Sequence, residues 1–98
     1  MPRPRTVKPR SLRHAALGQA IELVMAEDAH MTLDSVAAES GLDEKHIGTF
    51  IRGQGNPTYD SLVKLCDGLH VSPGELLARA DELHRKASNA SGGVTGAG

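Results

Sequence analysis

Apolar residues recur every three to four positions along the middle of the chain, which is the period of a helix with one buried face. In the segment 12–27, for example, Leu17, Ile21, Val24 and Met25 share one face. The same period predicts four further helices, at 33–40, 44–52, 59–69 and 73–86. No segment alternates apolar and polar residues as a half-buried strand does. The pattern therefore predicts an all-α protein.

Capping residues and helix breakers mark the ends of these segments. A residue with a short hydrogen-bonding side chain precedes each predicted helix, where it can accept from the first free amides. These residues are Ser11, Thr32, Asp43, Thr58 and Ser72. The last helix also has Pro73 at its first position and Glu75 three residues after Ser72, which together form a capping box. Gly41 ends the second helix, and Pro57 separates the third from the fourth.

Charge is distributed unevenly, although the net charge of the 98 residues is only −1. Residues 1–21 contain five basic and no acidic residues, and so carry +5. Residues 22–98 contain six basic and twelve acidic residues, and so carry −6. The chain is therefore a basic arm on an acidic body, a division that the net charge conceals.

Cys66 is the only cysteine, so an internal disulfide is excluded and a reducing setting is favoured. Its place in the apolar run SLVKLCDGL favours a small buried side chain over a reactive thiol. The basic start is not followed by the apolar stretch of a signal peptide, and no run approaches the roughly 18 apolar residues of a membrane span. We therefore expect a cytoplasmic protein, associated with the nucleoid if it binds DNA.

The second and third predicted helices have the spacing of a helix-turn-helix unit at about 32–52. Ala37 is a small residue inside the first of the pair, Gly41 permits a left-handed turn, and Ile47 is an apolar anchor inside the second. Further apolar contacts are expected from Val36, Leu42 and Phe50. In such a unit the second helix, here 44–52, enters the major groove of DNA.

Residues 17–77 resemble the Cro/phage-repressor, or xenobiotic-response-element, type of helix-turn-helix protein. The matching features are an Arg-Gly pair ending the recognition helix, an Asn-Pro in the next loop, spaced leucines in the fourth helix and a Val-Ser-Pro…Leu-Leu segment. They correspond here to Arg52-Gly53, Asn56-Pro57, Leu62 to Leu69 and Val71 to Leu77. The resemblance implies a compact five-helix, lambda-repressor-like domain that binds specific double-stranded DNA, usually as a dimer.

Three places depart from the family pattern. Leu33 stands where members often have a glutamine that touches phosphate and base, and Ile51 stands where a glutamate usually precedes the Arg-Gly pair. The end of the first helix reads ELVMAED, where members often carry arginines. The contacts to DNA must therefore come from other residues.

The domain boundaries follow from these observations. Residues 1–11, with three prolines, are predicted to be a flexible basic arm. Residues 12–86 are predicted to form the helix-turn-helix domain. Residues 87–98 are mostly Gly, Ser and Ala, and are predicted to be a disordered tail.

The recognition helix supplies the first group of candidate DNA contacts. Its side opposite the core anchors is predicted to face the base edges. These residues are Glu44, Lys45, His46 and Thr49. Glu44 either accepts a hydrogen bond from a cytosine amino group or is a solvated charge, and the sequence leaves both readings open. His46 is either a donor to guanine or phosphate or a bystander. Asp43 is better explained as the N-cap than as a base reader.

Phosphate contacts are predicted from the loop and the arm. Arg52, Gln54 and Asn56 are the candidates at the end of the recognition helix. The candidates at the N-terminus are Arg3, Arg5, Lys8, Arg10 and Arg13. The arm can lie on the backbone or in the minor groove, where guanidinium groups favour narrow A·T tracts. The alternative is that the arm only improves solubility.

The fifth helix is longer than the bundle requires, which suggests a homodimer. The predicted dimer face consists of Leu76, Leu77, Ala80 and Leu83, with Ile51 as a further candidate. Core packing is the alternative explanation for Leu76 and Leu77. Two such domains would meet half-sites about 34–36 Å apart, one helical turn of DNA.

Catalysis, cofactors and metals are not predicted. The five histidines lack ligand spacing, one cysteine cannot complete a zinc site, and no phosphate loop, metalloprotease motif or nucleophile elbow is present. We therefore predict a transcriptional regulator, most simply a repressor or autoregulator on a pseudopalindromic operator. A phage or plasmid repressor, an antitoxin with a toxin partner and a restriction–modification controller all remain open. The rival is a protein-interaction module that binds through Leu33, Ile51 and the acidic recognition helix.

Overall fold

A computed structural model describes the backbone of residues 8–96 and the side chains of residues 8–89. These residues form five α-helices and no strand, as the period of apolar residues predicts. The helices are α1 (Leu12–Ala26), α2 (Leu33–Ser40), α3 (Glu44–Ile51), α4 (Tyr59–Leu69) and α5 (Pro73–Gly96). α1 packs against α5 and α3, and α2 packs against α4. None of the described helices is long and apolar enough to cross a membrane.

Four of the five predicted caps make the expected hydrogen bonds. Ser11 Oγ accepts from the His14 amide at 3.1 Å, and Thr32 and Thr58 accept from the amides three residues later. Ser72 Oγ accepts from the Glu75 amide at 3.0 Å, while the Glu75 carboxylate accepts from the Ser72 amide. These local bonds satisfy amides that have no partner within the helix, so the helix starts are set by the sequence around them.

One apolar core joins all five helices. Its fully buried members include Ile21 of α1, Val36 of α2, Phe50 of α3, Leu65 of α4 and Leu76 of α5. Leu17 and Met25, predicted on the buried face of α1, are only partly buried at the edge of this core. α1 turns its small residues inward instead, namely Ala16, Gly18 and Ala20. Small side chains let α1 approach its neighbours closely.

Two glycines lie where helix backbones nearly touch. A Cβ at Gly18 would stand 2.8 Å from the Ile51 carbonyl carbon and 2.9 Å from the Phe50 carbonyl oxygen. A Cβ at Gly68 would stand 2.7 Å from the Val36 carbonyl oxygen. All three distances are shorter than ordinary contact, so neither position has room for a side chain. Gly18 sets the distance between α1 and α3, and Gly68 sets that between α4 and α2.

Ion pairs join the ends of the helices at the surface. Arg79 of α5 makes a two-pronged contact with Glu27, its Nη1 and Nη2 lying 2.6 and 2.9 Å from the two carboxylate oxygens. This contact lowers the pKa of Glu27 and raises that of Arg79. At the end of α4, the ring of His70 bonds Glu39 of α2 at 2.6 Å. Each contact links two helical segments that are distant in sequence.

α5 continues to Gly96, past the boundary at Lys86 that the sequence predicts. The backbone of residues 87–96 is thus helical where the sequence predicts a tail, and the domain boundaries stay a prediction. No proline interrupts this segment, and adding a residue to an existing helix is much easier than starting a new one.

Cys66 is buried in the core beside Leu65 and Leu69, as predicted. Burial raises the pKa of its thiol to about 11, and the nearby charge of Asp67 adds to the effect. The thiol is therefore neutral at physiological pH and inert as a nucleophile.

Candidate DNA-binding interface

α2 and α3 cross at a tight turn. Gly41 ends α2 in the left-handed conformation (φ 79°), and its amide donates to the Ala37 carbonyl at 2.9 Å. Only glycine adopts this conformation routinely without a steric cost. Ser40 Oγ then accepts from the Leu42 amide at 3.1 Å, which directs the chain into α3. The predicted helix-turn-helix geometry is present.

α3 has one side in the core and one side in solvent. Ile47 and Phe50 are fully buried, whereas Glu44, Lys45 and His46 are exposed. Because the buried pair fixes the rotation of the helix about its axis, the exposed residues have a defined direction.

Two of the candidate DNA contacts, His46 and Thr49, are held by contacts within α3. The ring of His46 lies on that of Phe50, with 4.7 Å between centroids. Thr49 is half-buried, and its hydroxyl donates to the His46 carbonyl at 2.6 Å. The Thr49 oxygen can therefore still accept a hydrogen bond, but its proton is already used.

The N-terminal end of α3 is acidic. Asp43 occupies the N-cap position but makes no side-chain capping hydrogen bond, so the prediction that its carboxylate satisfies the free amides is wrong. Glu44 is exposed but lies beside Asp34 of α2. A hydrogen bond with Asp34, which requires a proton on one of the two carboxyls, together with desolvation and the charges of Asp34 and Asp43, raises the pKa of Glu44. Three carboxyl groups from α2, the turn and α3 thus meet at the helix terminus, where the dipole offsets part of their repulsion.

Arg52, like Lys45, has no paired carboxylate among the described residues. It ends α3, and its side chain folds back along the helix. Its guanidinium lies 3.1 Å from the place of a Cβ at Gly48. The absence of a side chain at Gly48 makes room for the cation on the outer side of α3. Arg52 is thus exposed on the surface of the helix-turn-helix unit.

Gln54 and Asn56, both predicted phosphate contacts, are engaged within the protein. Gln54 Nε2 donates to the Lys8 carbonyl at 2.8 Å. Asn56 Oδ1 lies 3.2 Å from His14 Nε2, and the other ring nitrogen of His14 lies 2.7 Å from Ser11 Oγ. His14 therefore joins α1 to this loop, a position that the sequence does not reveal because its partner is 42 residues away.

The basic arm is divided by the structure. Lys8 and Arg10 are exposed beside the loop after α3, and the Arg10 amide donates to the Gly53 carbonyl at 2.8 Å. Arg13 belongs to α1 and pairs with Asp81 of α5 at 3.1 Å. Arg13 is therefore partly neutralised within the protein. The predicted arm contacts Arg3 and Arg5 lie outside the described residues.

The predicted dimer face is mostly interior. Leu76 and Ala80 are buried in the core, so the prediction that they are available to a partner is wrong. Leu83 and Ile51 are partly buried against the same core. Leu77 remains 43% exposed, beside a groove of about 240 Å³ whose walls include Leu17 and Leu62. α5 packs against α1, and this packing helps to decide which leucines α5 hides.

Among residues 8–89, no group of three His, Cys, Asp or Glu side chains could hold a metal ion. The side chains of α3, the loop after it and the arm can bind a partner through hydrogen bonds and charge.

Comparison with known families bears on the same region. The model of the Cro/C1-type helix-turn-helix DNA-binding domain matches residues 23–82, which is more than half of the chain. The chain belongs to the Cro/C1-type helix-turn-helix family. No curated protein sequence matches the chain.

Solved structures share the fold of this Cro/C1-type domain. The wild-type restriction–modification controller protein C.Esp1396I is 26% identical, with a TM-score of 0.69 over 79% of this chain and 99% of its own. The controller C.AhdI from Aeromonas hydrophila is 27% identical, with a TM-score of 0.62 over 67% and 98%. The clp gene regulator ClgR from Corynebacterium glutamicum, at 24% identity, has the same fold (TM-score 0.70, 85% and 88%). With the family match, these neighbours identify a DNA-binding transcriptional regulator.

The structure shows where two of the departures from the family pattern, Leu33 and Ile51, lie. Leu33 and Ile51 both pack against the core of this Cro/C1-type domain, so neither forms an exposed apolar patch. The rival prediction of a protein-interaction module relied on these two side chains. Their partial burial leaves less of the apolar surface on which that module relied.

Proposed function

We propose that the protein is a repressor or autoregulator that binds a pseudopalindromic operator as a homodimer, with α3 in the major groove of each half-site. The observation that carries the proposal is the division of α3 into a buried and a polar side. Ile47 and Phe50 pack the helix against the core, and Lys45 and His46 are exposed to solvent. A helix held in this way presents its polar side chains in a fixed register, which base recognition requires.

The side chains of α3 then have distinct roles. Lys45 is the candidate for guanine, whose O6 and N7 accept hydrogen bonds. Thr49 is an acceptor or an apolar contact for a thymine methyl, because its proton is already donated to His46. His46, held on Phe50, is placed to donate to a base or phosphate. Arg52 is the phosphate ligand, since its guanidinium is exposed and without a carboxylate at this surface.

Glu44 has less support as a base reader. Its carboxyl lies beside Asp34 and Asp43, whose charges disfavour the ionised form that would accept from a cytosine amino group. We therefore assign Glu44 to the acidic end of the turn. A Glu44→Gln variant that selects the same operator as the wild type, with tighter binding, supports this assignment, and a variant that loses one cytosine from the selected motif contradicts it.

Dimerisation rests on what remains exposed of the predicted face. Leu77 on α5 is 43% exposed, beside a groove whose walls include Leu17 and Leu62, and is the member of that face that a partner can reach. Two bound copies would also double the number of phosphate contacts. Leu77→Lys should keep the fold and reduce the dimer measured by sedimentation. A monomeric wild type at tens of micromolar, with and without DNA, would contradict the homodimer.

Among the three regulatory roles, restriction–modification control has the support of two controller proteins with the same fold at 26% and 27% identity. An antitoxin would need a toxin partner, for which the described surface offers no specific support. We therefore propose a controller-type autoregulator. A restriction or modification gene beside this one, whose promoter the protein binds, would support this role, and a neighbouring toxin gene would favour the antitoxin.

The deciding experiment is selection of bound sequences from random duplex DNA near physiological salt. The wild type should enrich a motif with two related half-sites, and Lys45→Ala should relax one position within each half-site, costing about 1–3 kcal/mol of discrimination. Arg52→Ala should weaken all sequences alike and reduce the salt slope by about 0.9 per half-site. Lys64→Ala is the matched control, because that lysine is paired with Asp60 on α4. Failure of the wild type to enrich any motif would refute the proposal.

A further inference from the structure

The arm and the loop after α3 are joined by three hydrogen bonds. The Gln54 side chain donates to the Lys8 carbonyl at 2.8 Å. The Arg10 amide donates to the Gly53 carbonyl at 2.8 Å, and the Arg10 guanidinium lies 3.4 Å from the Gln54 carbonyl. Two of the three involve main-chain atoms of the arm. They hold the path of its backbone and leave the Lys8 ammonium facing solvent.

Close packing accompanies these bonds at Gly53. This glycine is buried and has φ 74°, and a Cβ there would stand 2.7 Å from Pro9 Cβ and 3.1 Å from the Ala15 Cα. Pro9 therefore lies directly on the Gly53 backbone, with α1 closing the other side. A side chain at position 53 would occupy the space in which Pro9 of the arm packs.

The loop that holds the arm is itself attached to α3. The amides of Gln54 and Gly55 both donate to the Thr49 carbonyl at 2.9 Å, and the Gly53 amide donates to the Phe50 carbonyl at 3.0 Å. These bonds satisfy carbonyls at the end of the helix that have no partner within it. Residues 8–10, the loop and the end of α3 therefore form one connected unit.

We propose that Gln54 is a positioning residue, a clamp that fixes arm residues 8–10 beside the recognition helix, so that Lys8 and Arg10 meet phosphate from a prearranged place. The inference rests on the proposed DNA-binding function and deepens it. It gives Gln54 a role other than the predicted phosphate contact, since one hydrogen of its amide nitrogen donates to the Lys8 carbonyl. An arm held before DNA arrives avoids most of the entropy cost of ordering those residues on binding.

The first test of the clamp uses no DNA. Trypsin does not cut before proline, so Lys8–Pro9 is resistant and Arg10–Ser11 is the tryptic bond at the clamp. Gln54→Ala should speed cleavage at Arg10–Ser11 by about threefold or more, as expected when local opening becomes easier by one net hydrogen bond. Gln19→Ala, the same change at an exposed position of α1, is the control and should cleave as the wild type does. Equal cleavage in Gln54→Ala and wild type would overturn the clamp.

The second test asks whether the clamp acts through the arm cations. Binding to a labelled mixed-sequence duplex of about 20 base pairs, two helical turns, is measured at several salt concentrations. Gln54→Ala should weaken binding by about three- to tenfold, the equivalent of one net hydrogen bond. In the Lys8→Ala/Arg10→Ala background, whose salt slope should be smaller by about 1.8 per half-site, the same change should have no effect.

The outcomes separate the two proposals. Equal losses from Gln54→Ala in both backgrounds would mean that Gln54 contacts DNA directly, which overturns the clamp alone. Tighter binding by Gln54→Ala would mean that the docked arm opposes DNA, which also overturns it. A wild type that binds neither this duplex nor any selected sequence overturns the proposed function and, with it, the clamp's part in DNA binding.

Discussion

Replacing Gly18 by alanine tests how α3 is held against α1. A Cβ at this position would stand 2.8 Å from the Ile51 carbonyl carbon and 2.9 Å from the Phe50 carbonyl oxygen, and it would overlap the Ile51 carbonyl oxygen itself. Ordinary contact distances to a Cβ are 3.4–4 Å. The neighbours are backbone atoms at the end of the recognition helix, which cannot rotate away as a side chain can. The two helices must therefore separate by about half an ångström or more.

The expected cost combines two opposing effects. Alanine is favoured over glycine inside a helix by up to about 1 kcal/mol. Overpacking of a dense interior costs about 1–3 kcal/mol, and more where backbone has to move. Because the contact here is with backbone, we expect the second effect to dominate and the free energy of unfolding to fall by about 2 kcal/mol. For a domain of this length that corresponds to a melting temperature lower by roughly 8–16 °C.

Urea unfolding followed by circular dichroism measures this change, with an unchanged m-value showing that the cooperativity of unfolding is retained. Gly48→Ala is the matched control on α3. Its Cβ would meet only the flexible end of Arg52, at 3.1 Å, so its stability should equal or exceed the wild type by up to about 1 kcal/mol. If Gly18→Ala proved as stable as Gly48→Ala, the close approach of α1 to α3 would be refuted.

Three further predictions concern ionisable groups. Asp34 raises the pKa of Glu44, so the folded state binds a proton at Glu44 more tightly than the unfolded chain does. The folded state therefore gains stability as pH falls through the folded-state pKa. Glu44→Gln should have a higher melting temperature than the wild type at pH 7, and this difference should shrink in acid. Arg79 lowers the pKa of Glu27, so the ion pair stabilises the folded state fully above the unfolded-state pKa of Glu27, and this stabilisation is lost as pH falls through the folded-state pKa. Glu27→Gln should have a lower melting temperature than the wild type at pH 7 and approach it in acid. A melting temperature for either variant that keeps a constant offset from the wild type across this pH range would contradict these assignments. Cys66, whose pKa is about 11, should react with iodoacetamide only when urea unfolds the core, and rapid labelling of the native protein would show that it is not buried.

Local signals in the sequence account for most of the fold. The starts of α1, α2, α4 and α5 follow Ser11, Thr32, Thr58 and Ser72, because a capping side chain bonds an amide only three residues away. Gly41 predicts the turn for the same reason, since its left-handed conformation is a property of a single residue. The period of apolar residues predicts which side of α3 is buried.

The candidate site was less predictable, because its side chains have partners far along the chain. Gln54 bonds a residue 46 positions earlier, Asn56 bonds one 42 positions earlier, and Arg13 pairs with one 68 positions later. Sequence spacing shows that these side chains can contact phosphate, but it does not show that other groups already occupy them. The Asp34–Glu44 contact escapes prediction in the same way, because it forms only when α2 and α3 cross.

The sequence by itself determined the helices, their caps, the turn and the identity of the exposed side of α3, since each depends on residues within one or two helical turns. Tertiary structure decided which leucines of α5 are hidden, where Arg52 lies, and that Gln54 holds the arm. Those properties depend on how close the helices come to one another. Gly18 sets the distance between α1 and α3, but the sequence alone does not show which backbone packs against that glycine.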